Sequence, residues 1–200
     1  MASASISPSG SASKSISPSG SVSPSGSISY SASISPSPSI KIESVRGNPR
    51  LPIERVACRA YLSATQENLV DTNWTKVTLN TVNYDLGTNF DKVTNNRFVP
   101  PVSGLYAIRG KVDFTNIVAD KSYGVAIYVK NAMVAHSQVH AGASTDEVDA
   151  VVVDEVFLNK TADYVELFAQ SNSGGNTVDI VPASDHTYLG VRLITKEGIR

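Results

Sequence analysis

"LYAIRGKVDF", Leu105–Phe114, alternates as a half-buried strand does. Tyr106, Ile108, Val112 and Phe114 fall on one face, and Leu105, Ala107, Arg109, Lys111 and Asp113 on the other, which is the two-residue period of β structure. The same period continues on the C-terminal side. "YGVAIYV" (123–129) puts Tyr123, Val125, Ile127 and Val129 together, and "EVDAVVVDEVFL" (147–158) and "YVELFAQ" (164–170) flank the turn signal "NKTAD" (159–163). "TYLGVRLI" (187–194) closes the series. Strand, turn and strand recur about every 10–15 residues with no helical period between them, so an all-β sandwich or barrel is expected, with Phe98, Tyr106 and Ile127 in its core. "AVVVDEVFL" (150–158) is apolar on both faces, which predicts a strand covered once by the core and once by another subunit.

The first residues are of another kind. Serine occupies every odd position from Ser3 to Ser39, and Ile16, Val22, Ile28, Ile34 and Ile40 recur six apart on the even positions. Six is a multiple of both two and three, so an extended strand or a polyproline-type helix aligns the apolar residues, whereas the prolines forbid an α-helix. One copy buries too little to order itself. The expected organisation is a Ser-x stalk or attachment tail at 1–46, a linker at 47–54 and a globular head at 55–200.

The net charge of −1 comes with scattered Lys and Arg, which argues against nucleic acid, and no stretch approaches the length of a membrane span. Lys41, Arg46, Arg50, Arg55 and Arg59 read as a solvated junction between tail and head. The single cysteine, Cys58, precludes an intrachain disulfide and reads as a small buried hydrophobe. The N-terminus lacks the basic start and the apolar run of about 7–15 residues of an export signal, so the chain is expected to stay in the cell or to leave inside a particle such as a virus or a spore.

"LNTVNYDLGTNFDKVTNNRFVPPVSGLYAIRG" (79–110) resembles the globular heads of the complement one-q and tumour-necrosis-factor jelly-roll superfamily. Asp85, Phe90, Phe98, Gly104 and Tyr106 match that pattern by type, with Leu79 in place of its first aromatic. Ile108 stands where a Phe is usual, Gly110 replaces an aromatic, and one extra residue lies between Phe90 and Phe98. "RAYLSA" (59–64) resembles the opening strand, and "TYLGVRLI", which contains Gly190, the closing one. The resemblance implies a jelly roll of about ten antiparallel strands, a homotrimer about a threefold axis and a non-catalytic binding role on a collagen or fibre stalk. Here the Ser-x tract stands where collagen would.

No Gly-x-Ser-x-Gly elbow anchors Ser/His/Asp catalysis. His136 and His140 share one face of a strand and, with one histidine per subunit on a threefold axis, are candidate metal or anion ligands. Asp146, Glu147 and Asp149, followed by Asp154 and Glu155, supply oxygens of the kind calcium takes, and family members sometimes bind calcium near the trimer apex. No cofactor is otherwise expected. Asn73-Trp-Thr and Asn159-Lys-Thr are glycosylation sequons read as chance, and "SNSGGNT" (171–177) is a polar loop of the kind that carries specificity. The expected function is structural and binding: a trimeric fibre or decoration protein on the virion surface of a bacteriophage. Residues 1–46 would meet other virion proteins such as capsid or tail, and the head loops would meet a host receptor or glycan. A spore-surface or secreted adhesin of the same build is the alternative. A glycan-degrading hydrolase is the alternative from another class.

Overall fold

The computed structural model describes residues 55–143, 146–160 and 162–198. The chain divides at Pro49/Arg50 into two units, and every described residue belongs to the second. The stalk at 1–46 and the linker at 47–54 lie outside the described residues.

Twelve strands, and no helix, make up the described residues. They are β1 (Ala57–Tyr61), β2 (Trp74–Lys76), β3 (Thr81–Leu86), β4 (Phe90–Asp91), β5 (Arg97–Phe98), β6 (Gly104–Thr115), β7 (Ser122–Val129), β8 (Ala132–His140), β9 (Glu147–Leu158), β10 (Val165–Asn172), β11 (Asp179–Ile180) and β12 (Tyr188–Lys196). Two antiparallel sheets result. In the first, β9-β6-β12-β1-β3 lie side by side, with β11 continuing along the β6 edge beyond β12. In the second, the order is β4-β5-β10-β7-β8, with β2 also on β10. The count exceeds the ten expected because β2, β4, β5 and β11 are pieces of two or three residues, which loops interrupt.

The opening stretch is the spine of the first sheet. Tyr106, Ile108, Val112 and Phe114 of β6 are fully buried, as its alternation predicts. They meet Tyr123, Val125 and Ile127 of β7 and Val165, Leu167 and Ala169 of β10 across the sandwich. Phe98 stands edge-on to Tyr106 at 5.9 Å, a geometry that the aromatic quadrupole favours. Phe98, Tyr106 and Ile127 are all fully buried, as expected.

The motif residues also acquire reasons. The Asp85 carboxylate accepts the amides of Asn89 and Phe90, which closes the turn and delivers Phe90 into the core. Tyr106 Oη donates to the Val102 carbonyl at 2.8 Å. Gly104 serves a close approach: a Cβ there would lie 2.3 Å from the Thr195 carbonyl oxygen at the β12 irregularity. At Gly110 a Cβ would lie 2.4 Å from Leu167 Cδ1, so Leu167 fills the room that an aromatic would need.

Candidate functional site

The outward positions of the first sheet form a continuous surface. Register sets Val153, Arg109, Gly190, Arg59 and Tyr84 side by side across five strands. The neighbouring row is Glu155, Ala107, Arg192, Ala57 and Leu86. Because Gly190 has no side chain, the middle row opens into a depression of about 400 Å³ lined by Arg59, Tyr84, Arg109, Val153, Tyr188 and Arg192. The Arg59 guanidinium lies 3.8 Å above the Tyr188 ring, and that of Arg109 lies 5.9 Å from it. Such stacking keeps a guanidinium partly desolvated and fixed in place.

Arg59 Nη2 donates to the Ser184 carbonyl at 2.7 Å, while its Nε is buried without a hydrogen-bond partner. Among the described residues none of Arg59, Arg109 and Arg192 forms an ion pair. The depression therefore carries three positive charges that no carboxylate of the described residues meets. Around it, Tyr84, Leu86, Val153, Phe157 and Ile194 are exposed, Val153 at 64% and Phe157 at 48%. A surface that mixes arginine, tyrosine and exposed aliphatics has the composition of a protein interface.

Arg59 is thus no solvated linker residue; it is packed on Tyr188 in β1 of the head. Sequence reasoning missed the arginine cluster because its members lie far apart in the chain. The usable signal was that each takes an outward position on its own strand.

His136 and His140 do share the outer face of β8, in the second sheet, and both are exposed. His136 stands edge-on to Trp74 at 6.4 Å, and His140 Nδ1 lies 3.3 Å from Ser122 Oγ. His186 is elsewhere, with Nδ1 2.6 Å from Asp113 Oδ2. Asp146, Glu147 and Asp149 are exposed at the start of β9, where Asp149 lies 3.7 Å from Lys111 Nζ. No three His, Cys, Asp or Glu side chains among the described residues form a group that could hold a metal ion.

The "SNSGGNT" loop is tied down. The Asp71 carboxylate accepts the Ser173 amide at 2.6 Å, the Gly175 amide at 2.8 Å and the Ser173 hydroxyl at 3.2 Å. These bonds, the Ser173 amide foremost, hold its carboxyl below the usual range. At the second sequon, Asn159 Nδ2 donates to Asp163 within its own turn.

No family model matches the sequence, and no curated protein matches it. Solved structures do. Eiger TNF from S. frugiperda superposes with a TM-score of 0.56 at 7% identity, over 72% of this chain and 94% of that one. Murine APRIL at pH 8.0 does so with a TM-score of 0.52 at 12% identity, over 70% of this chain and 99% of that one. At such identities the likeness is one of fold, and the chain carries the tumour-necrosis-factor-type jelly roll that its residues 79–110 resemble.

Proposed function

We propose that the protein is a structural and binding protein: a homotrimeric fibre or decoration protein of a bacteriophage particle. In this reading residues 1–46 are the stalk that meets the capsid or tail, 47–54 the linker, and 55–200 the head that contacts host surface or glycan. The observation that carries it is the outer face of the first sheet. Val153, Phe157, Tyr84, Leu86 and Ile194 are open on it around three arginines without carboxylate partners. A monomer gains nothing from such a face, whereas a second copy would cover it. The acidic side chains of β9, Glu147, Asp149 and Glu155, offer charge of the matching sign.

The serine tract supports the fibre part, since it cannot fold alone and gains a high local concentration of copies when the heads assemble. Sedimentation of the purified full chain at micromolar concentration is the test, together with antibody labelling of particles that carry it. A trimeric mass and labelled particles are expected. A monomer that stays monomeric would sink the reading, as would particles without label.

A further inference from the structure

The outer face of the second sheet differs in kind from the first. Register sets Trp74, Gln170, Gly124 and Gln138 in one row across β2, β10, β7 and β8, and Lys76, Phe168, Ala126 and His136 in the next. Outward positions on β7 are small at Ser122, Gly124 and Ala126, so side chains from the flanking strands lie down across it. The Trp74 indole does so: a Cβ on Gly124 would lie 3.0 Å from its Cη2. His136 meets the indole edge-on, and Tyr128 stacks on Phe168 at 4.1 Å, which extends the platform by a second pair of rings.

Polar groups are fixed beside these rings. Gln170 Nε2 donates to the Thr72 carbonyl at 2.8 Å, and its Oε1 accepts from Gln138 Nε2 at 3.4 Å. That leaves the Gln138 carbonyl, the Trp74 indole N–H and the His136 ring nitrogens without partners among the described residues. The ammonium in these rows, that of Lys76, is paired with Glu166 of the adjoining row.

An aromatic floor, the Trp74 indole laid across β7, with uncharged donors and acceptors at its rim matches one chemistry. A pyranose has an apolar C–H face to lay on a ring and a rim of hydroxyls to bond sideways. A polyanion would require unpaired cations, which the first sheet has and the two rows around Trp74 and Phe168 lack. We propose that the outer face of the second sheet, centred on Trp74, Gln138, Gln170 and His136, binds a neutral oligosaccharide. The proposal rests on the binding role assigned to the head and moves its glycan contact from the loops to a sheet face on the side away from the self-association surface.

Trp74 is the single tryptophan of the chain, so its emission reports this site alone. The full-chain protein is titrated with maltoheptaose, cellohexaose and chitohexaose. A saturable change in emission is expected with at least one of them. Gln138→Ala is expected to weaken that response by about tenfold or more, with an unchanged melting curve as the folding control, and Lys92→Ala, at an exposed turn position outside both surfaces, to leave it as it is. Calorimetry with Trp74→Phe checks the loss without the reporter. The proposal is overturned if no neutral oligosaccharide gives a saturable response, if Gln138→Ala and Trp74→Phe bind as the parent does, or if Lys92→Ala abolishes binding. A chain that sediments as a trimer yet gives no response refutes this site and leaves the trimeric head standing.

Discussion

At the scale of residues, the tightest constraints fall on groups that serve the core twice. Tyr106 fills it with a ring and satisfies the Val102 carbonyl with its hydroxyl. Tyr106→Phe should therefore cost about 0.5–1.5 kcal/mol and Tyr106→Ala about 3–5 kcal/mol, read from urea midpoints. A Tyr106→Ala head that unfolds at the parent's midpoint would show β6 to be misplaced. Cys58 is buried, and burial first, then the Asp85 carboxylate, pushes its thiol up to about 12. In the unfolded chain a thiol ionises near about 8.5. Stability should thus decline as pH rises from about 8.5 toward about 12, because the unfolded state alone loses the proton. Thiol reagents should modify Cys58 only on unfolding, and fast labelling of the native head would contradict this. Asp91 behaves oppositely. Bonds from the Thr94 amide first and the Asn95 side chain next hold it at about 2. Its contribution is complete above about 4 and is lost as pH falls toward about 2, so Asp91→Ala should flatten the acid limb of a stability profile.

At the scale of elements, β9 decides most. Its even positions, Ala150, Val152 and Leu158, are buried in the sandwich, while Val151, Val153 and Phe157 look outward beside β6. The alternation that makes it a core strand also leaves an apolar outer face, which the proposed trimer would cover, and both faces were legible in "AVVVDEVFL". The double change Val153→Glu, Phe157→Glu should shift the sedimenting species from trimer to monomer while the head keeps its melting temperature to within a few degrees. An unaltered trimer would place the contact on another face. The arginine cluster shows the opposite case. β1, β6 and β12 each contribute one guanidinium, and only their adjacency in the sheet makes a site of them.

At the scale of the whole molecule, the proposed fibre turns on whether residues 1–46 carry enough apolar side chains to order. Each Ile or Val covered between chains would contribute roughly 1.5–3 kcal/mol, against about 1–2 kcal/mol for ordering each backbone residue. Five such contacts cannot order the tract in one chain. Trimeric heads would supply the missing local concentration. Residues 1–46 should then resist protease in the assembled particle and be cut in a monomeric variant, and changing Ile16, Val22, Ile28 and Ile34 together to Ser should remove the resistance. Equal protection after that change would reduce the tract to a linker. Chelation with EDTA should leave the sedimentation of the full chain unchanged, and dissociation would favour Asp146, Glu147 and Asp149 as calcium ligands.

By itself the sequence determined that β6, β7, β9, β10 and β12 are strands and which side chains of β6 and β7 face the core, and by resemblance it singled out Leu79, Asp85, Phe90, Phe98, Gly104 and Tyr106. These are local properties: alternation is written in neighbouring residues, and a turn such as Asp85–Phe90 closes within a few positions. Strand order is not local. Setting Arg59 beside Gly190 and Gly190 beside Arg109 depends on which long loops close and which faces pack. So does laying Trp74 over Gly124, 50 positions on by the numbering, in a different strand of the second sheet. The core was therefore legible from the alternation of single strands, while both surface sites exist only because the tertiary fold brings distant outward positions into one row.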